Sequence, residues 1–384
     1  MQSEQYNNIG MSPSVSVKVK PDVIKWLRES SGWTISEIGS YIEVPEETIL
    51  SWEKGASYPT FNEICKMAKA FKRPSAAFFL PKPAEEPSLP QDFRRLRGAS
   101  GGFSKKTMEV FRRARNLQST GKELLENLNY DVQPDITKAR LSDSPEKVAA
   151  AERDRLGVTT AEQIACKDKY KAFGMWRNLL ESEGIMIFQF SMELEELRGF
   201  TIIDSAPYVI VVNSSDDIGA RIFTLLHEYG HIILREPALC TPEEPTKDKH
   251  GAEVEAWCNR FSAAFLLPPD EIKADFEKTG LKQYSRTASR FKVSKYALLT
   301  RLVSLKLISD KQYMDETTRL KMKDKDQAES TGGIGETAAG RARREMGEGF
   351  VALVIENSQK GLITYSDALD YLDVKTKGLE ELMK

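Results

Sequence analysis

The stretch "TLLHEYGHIILREP", Thr224 to Pro237, constrains this chain more than any other. The whole sequence holds three histidines, and two of them, His227 and His231, stand four residues apart here. In an α-helix, positions i and i+4 share one face, a turn apart. Both imidazoles therefore point the same way and can grip one cation through neutral ring nitrogens. Glu228 is rotated by roughly 100° from His227. Its carboxylate stands beside such an ion rather than on it, where it can take a proton from a water that the ion has acidified. Phe223, Leu225, Leu226, Ile232, Ile233 and Leu234 frame the motif with apolar surface. A helix so flanked is expected to lie buried beneath a strand layer, which fixes the imidazoles and keeps water out.

A catalytic zinc site takes three protein ligands and leaves one position open. The sequence offers several candidates for the third. His250 lies in the polar stretch "TKDKHGAE", which would need fixing by something else. The next apolar helix, "EVEAWCNRFSAAFLLP", brings Glu253 and Glu255. Glu255 follows His231 by 24 residues (255 − 231), room for a loop and an antiparallel return, and Asn259 lies one turn further along its face. Glu255 is favoured, with Glu253 remaining open. Cys240 and Cys258 read as small buried hydrophobes rather than ligands.

Composition narrows the setting. The 384 residues are 40% hydrophobic and 29% charged, with a net charge of −2. That mixture is globular, and its balance excludes a global field that would draw the whole molecule to nucleic acid. The four cysteines form no CxxC pair. No signal-peptide pattern and no membrane-length apolar run is visible, so a cytoplasmic protein with reduced thiols and no membrane partner is expected.

The chain reads as consecutive segments: a disordered tail (1–16), a helical domain (17–81), a Pro-rich linker (82–91), a helical segment of unknown role (92–180), and a core around the opening motif (181–270). A basic helical subdomain (271–320), a flexible low-complexity loop (321–346) and a C-terminal helical cap (347–384) follow. Strands are expected at "GIMIFQF", "LRGFTIID" and "PYVIVVN", short β-branched runs bounded by Gly, Pro and Asn. "GFTIID" is a candidate sheet edge to which an extended peptide could add.

"TLLHEYGHIIL" followed by "EAWCNRFSAAFLLP", with "RGFTIIDSAPYVIVVNSSD" before them, resembles the ImmA/IrrE family of metallopeptidases over roughly Gly184 to Pro268. The resemblance implies a gluzincin-like zinc endopeptidase that cleaves a helix-turn-helix repressor and so switches gene expression, in a stress response or the induction of a mobile element. It assigns Zn2+ to His227, His231 and a glutamate of the following helix, and the general base to Glu228. Many members read "E.EAN" where this chain has "EVEAWCN"; the glutamate common to both spacings is Glu255.

Val17 to Leu80 resembles the XRE (Cro/repressor-like) helix-turn-helix domain through "TISEIGSYIE", the turn "VP" and "SWEKGASYPT". In that family the start of the third helix reads base edges in the major groove. Here that surface is Glu46 and Glu47, then Thr48, Ser51 and Lys54, so the DNA-contacting set implied is Glu47, Thr48, Ser51 and Lys54. From Lys18 to Lys82 ten Lys/Arg stand against eight Asp/Glu, a net of +2. Two carboxylates at the reading helix and so small an excess imply modest DNA affinity or docking of a related repressor domain. Leu281 to Ile308 carries seven basic residues and no acid, and "SRFKVSKYALLTRL" reads as helix, turn, helix. It resembles the segment that follows the peptidase part in the family, and is a second candidate for DNA.

The expected fold class is α+β and predominantly helical: an all-α helix-turn-helix domain joined to a small gluzincin-like zinc peptidase domain with a short mixed sheet. The expected partner is a protein substrate, an XRE-type repressor. The rival is a DNA-binding transcription regulator or toxin–antitoxin component whose metal site is not catalytic.

Overall fold

The computed structural model describes residues 16–83, 103–236, 239–240, 249–326 and 336–384. Residues 1–15 of the expected tail, 84–91 of the expected linker and 327–335 of the expected loop lie outside them. Two compact units divide the chain, Met1–Phe111 and Arg112–Lys384.

The first unit holds α1 (Pro21–Ser30), α2 (Ile35–Ile42), α3 (Glu46–Glu53) and α4 (Phe61–Phe71), then a 3-10 turn at Ser75–Phe79. Capping boxes start α2 at Thr34/Glu37 and α4 at Thr60/Glu63, satisfying backbone donors that a helix start leaves open. Ile38, Ile42, Ile49, Trp52, Ile64 and Phe71 recur at helical spacing and share one buried core. Arg28 bridges to Glu53 at 2.6 Å and ties α1 to α3. α5 (Lys105–Asn127) contains the boundary between the units.

The second unit begins with α6 (Pro145–Arg155), α7 (Thr160–Ala165) and α8 (Lys169–Ser182). β1 (Met186–Phe190), β2 (Gly199–Ile202) and β3 (Val209–Asn213) lead into α9 (Ile218–Leu234), which carries the opening motif. β4 (Leu239–Cys240) and α10 (Lys249–Leu266) follow, then α11 (Pro269–Thr279), α12 (Tyr284–Arg290), α13 (Lys295–Ser304) and α14 (Asp310–Asp326). The last helices are α15 (Ala338–Gln359), α16 (Tyr365–Leu372) and α17 (Thr376–Leu382). The fold is thus α+β and predominantly helical, and no helix among the described residues is long and apolar enough to cross a membrane.

The sheet is mixed, in the order β1-β3-β2-β4. β1 runs parallel to β3, and β2 runs antiparallel to both β3 and β4. Every residue of β1, β2 and β3 is buried, which is why these strands read as continuous apolar runs without alternation. "GFTIID" is not an edge at its start. It lies between β3 and β4, with Gly199 and Phe200 paired to Cys240 and Leu239. The two-residue β4 escaped sequence reading because a strand that short has no period to detect.

The core holds α9 between the sheet and helices. Ile222, Leu225, Leu226, Ile232 and Ile233 are fully buried among Trp176 and Leu180 of α8, Ile210 and Val212 of β3, and Phe261 and Phe265 of α10. Each such side chain contributes about 1.5–3 kcal/mol by leaving water. Ile136, Ala149, Phe173 and Trp176, from the segment given no role above, belong to this same core. The loop expected over 321–346 is helical at both ends: α14 continues to Asp326 and α15 starts at Ala338, capped by Thr337. "AAGRARRE" is rich in helix formers, and that propensity outweighs its low complexity. α15 breaks at Gly347, where φ is 85°. Arg177 of α8 donates to the carbonyls of Arg344 and Glu345 beside the break, and Glu181 accepts from the Gly349 N–H at 3.1 Å.

Candidate metal centre

α9 and α10 bring the site together. His227, Glu228 and His231 sit in the middle of α9, all at 1% exposure or less. The His227 and His231 Nε2 atoms stand 3.0 Å apart. Glu255, from the second turn of α10, reaches both: its Oε2 lies 3.1 Å from His227 Nε2 and its Oε1 3.3 Å from His231 Nε2. These are the only three His, Cys, Asp or Glu side chains among the described residues that converge in this way, with donor atoms within 4.8 Å of one another. Donors about 2.1 Å from a tetrahedral ion are about 3.4 Å from each other. Two imidazole nitrogens, one carboxylate and these separations fit a zinc ion. The Glu255 side chain keeps 29% of its exposure while the imidazoles keep 1–2%, so solvent reaches the donor set from Glu255's side.

The other candidates are elsewhere. His250 is well exposed, 3.4 Å from Glu236. Glu253 is exposed too, 3.9 Å from Lys249. Cys258 is buried on α10 and faces Gly230 of α9. A side chain at Gly230 would meet Cys258 Sγ at 3.2 Å and Phe261 Cδ1 at 3.3 Å. The glycine inside the motif is therefore what lets α10 come close enough for Glu255 to reach the imidazoles.

Glu228 is not one of the three donors; its carboxylate reaches β2. Its Oε2 accepts from the Thr201 hydroxyl at 2.5 Å, while its buried Oε1 has no hydrogen-bond partner among the described residues. Gly199, on the same strand, leaves the room: a Cβ there would meet Thr224 Cγ2 at 2.6 Å, Val211 O at 2.9 Å and Glu228 Oε1 at 3.2 Å. His227 Nδ1 faces Asn259 Oδ1 at 3.0 Å, an arrangement in which Nδ1 carries the proton and Nε2 keeps its lone pair for a cation.

The electrostatics follow from burial and from these contacts. Burial pushes the Glu228 carboxyl up to about 8, against the opposing pull of His227 and the Thr201 hydrogen bond. For Glu255 burial also pulls upward, but the hydrogen bonds to both imidazoles overcome it and hold the carboxylate well below its usual range. Burial lowers His231. It acts the same way on His227, where hydrogen bonding and charge from Glu255 outweigh it and the net direction is upward.

Sequence reasoning placed Glu228 and the two histidines on one helix, but it assigned no part to Thr201, Gly199 or Asn259. Only Asn259 carried a readable signal, its i+4 relation to Glu255. Tyr229 is committed within the core: its hydroxyl donates to Glu152 at 2.6 Å and accepts from Arg155 at 3.3 Å. In the first unit Glu47 and Lys54 are exposed and Thr48 and Ser51 half-buried, with Ser51 Oγ 2.7 Å from Ser57 Oγ.

Residues 180–303 match the family model described as an IrrE N-terminal-like domain, Peptidase_M78, and residues 24–78 match the helix-turn-helix model HTH_3. The chain therefore carries an M78 peptidase domain behind an XRE-type helix-turn-helix domain. No curated protein matches it.

Proposed function

We propose that the chain is a zinc-dependent endopeptidase that cleaves a helix-turn-helix repressor-type protein and thereby switches the genes under it. The observation that carries this reading is the meeting of His227, His231 and Glu255 beside a buried carboxylate that is not part of the donor set. A structural zinc site closes its shell with four protein donors, whereas a catalytic one keeps three and an open position. Three converge here, inside a domain of a peptidase family.

When bound, a zinc ion would supply Lewis acidity at this point, polarising a peptide carbonyl and making water nucleophilic near neutral pH. Glu228 takes a proton from the attacking water on Oε1, the oxygen without a partner among the described residues, and delivers it to the departing amine. Thr201 holds the other oxygen and fixes the carboxylate's angle. Asn259 holds His227 in the tautomer that presents Nε2. Burial of α9 keeps bulk water from competing for these groups. The helix-turn-helix domain at 24–78 gives the protein a means of meeting DNA or repressor domains of its own kind.

The test is incubation of the zinc-loaded protein with candidate helix-turn-helix repressors and mass spectrometry of the products. Discrete fragments are expected from the wild type. Glu228→Gln is expected to retain zinc and yield none. Equal cleavage by that variant would remove Glu228 from the chemistry. Regulation that survives the substitution intact would favour a regulator with a non-catalytic metal.

A further inference from the structure

α9 leaves one large apolar side chain partly outside the core. Phe223 is half-buried, while every other aliphatic or aromatic residue of the helix larger than alanine is buried. Phe223 stands four residues before His227, as His227 stands four before His231, so the three share one row along the helix. The Phe223 and His227 rings are neighbours, with centres 6.4 Å apart and planes inclined by 33°. An apolar ring half in water forgoes part of the stabilisation that burial gives. Here the ring adjoins the metal donors.

α10 supplies the facing row. His231 meets Glu255 at 3.3 Å and His227 meets Asn259 at 3.0 Å, so the two helices run antiparallel and each step of four on one answers a step of four on the other. Continued by one step, that register sets Phe223 opposite Ala263, four residues after Asn259. Alanine opposite phenylalanine leaves width between the helices that two large side chains would fill. One step further back on α9 the row is closed: a Cβ at Gly219 would meet the Ser294 nitrogen at 3.1 Å, so the turn before α13 ends it. Neither Phe223 nor Ala263 carries charge. Arg260, the charged residue of α10 nearest Ala263 in sequence, donates back to Ala256 O at 3.3 Å.

We propose that Phe223 walls an apolar subsite beside the metal donors, and that the protein selects peptides carrying a large aliphatic or aromatic side chain next to the scissile bond. This deepens the peptidase reading and rests on it for placing the scissile bond at the donor set. The residues on either side of a scissile carbonyl have their Cα atoms within about 4 Å of it. Phe223, whose ring centre lies 6.4 Å from that of a donor imidazole, is within reach of their side chains. An apolar side chain set against the ring removes apolar surface from water on both partners. A charged one in the same place loses hydration and gains no partner. Phe223 is thus a specificity residue: it touches the neighbouring side chain and none of the reacting atoms.

The test is isothermal titration calorimetry of the zinc-loaded full chain with small hydroxamates, which bind a metal directly and are not cleaved. Two series place one substituent on either side of the zinc-binding group: hydrogen, methyl, isobutyl, benzyl, carboxymethyl or aminobutyl. In one of the two series the isobutyl and benzyl compounds are expected to bind at least about tenfold tighter than the hydrogen, carboxymethyl and aminobutyl ones. Phe223→Ala is expected to shrink that preference at least about threefold while leaving zinc content and the affinity of the hydrogen compound unchanged, and Phe223→Leu to retain it. Unfolding temperature is measured for each variant, and the wild-type series decides by itself if Phe223→Ala fails to fold. Four results would overturn the proposal: affinity independent of the substituent, tighter binding of a charged compound, a preference that Phe223→Ala leaves intact, or no hydroxamate binding by protein that holds zinc. Glu228→Gln is expected to give the wild-type order, so the readout needs no catalysis. An apolar preference with no repressor fragments would keep the subsite as a ligand site and remove the endopeptidase reading; fragments with no such preference would do the reverse.

Discussion

Glu228 is held where burial opposes its charge, and that has a cost in the metal-free protein. Its folded value of about 8 is raised above the ordinary 4.5. A raised group contributes stability that is fully present below 4.5 and is lost as pH climbs through 8. A tenfold change in proton affinity corresponds to about 1.4 kcal/mol, so the loss by pH 8 is on the order of a few kcal/mol. Glu228→Gln keeps an acceptor for Thr201 but has no proton to lose. With metal chelated, it should therefore unfold at a higher temperature than the wild type at pH 8, by a margin that shrinks at pH 5.5. A margin independent of pH would refute this account of the carboxylate. Asn259 allows a second prediction at this scale. Asn259→Ala should weaken zinc binding by about 10–100-fold, read by competition with a chromophoric chelator, because His227 loses the partner that fixes its tautomer.

Two glycines decide whether the elements of the site can meet. At Gly199 an added methyl would lie 2.6 Å from Thr224 Cγ2 and 2.9 Å from a backbone oxygen, so β2 or α9 must shift. Gly199→Ala should cost about 1–3 kcal/mol in thermal or denaturant unfolding. At Gly230 the obstruction is milder, and it falls between α9 and α10. Gly230→Ala should lower zinc affinity more than stability, because Glu255 rides on the helix that is pushed away. Of these elements, the helical ones were legible in advance, since α9 and the second half of α10 carry apolar residues at helical spacing and Pro268–Pro269 ends the run. The partners across the gap were not. Nothing in the spacing of "GFTIID" says that Thr201 faces a helix rather than solvent, because the pairing of β2 between β3 and β4 is made by residues distant in sequence.

For the second unit as a whole, the C-terminal helices are part of the fold rather than an appendage. α15 packs on β1, and Phe350 meets Phe188 edge-to-face with ring centres 5.6 Å apart. Arg177 is buried between α8 and the broken turn of α15, paired to Glu181 at 2.8 Å and donating to backbone carbonyls on both β1 and α15. Removing one member of a buried, hydrogen-bonded pair costs about 3–5 kcal/mol. Arg177→Met should lower stability by that order, and truncation at residue 335 should leave a chain that elutes as aggregates in size-exclusion chromatography.

Local order was set by the sequence alone: the i, i+4 histidines, the adjacent carboxylate, the capping boxes at Thr34 and Thr60, and the apolar runs of the strands. Each arises from neighbours within about a turn or a pleat, where chain geometry leaves little choice. Tertiary structure decided which glutamate joins the imidazoles and which oxygen of Glu228 meets Thr201. Those outcomes depend on the close approach of segments tens to hundreds of residues apart, and packing sets that approach rather than periodicity.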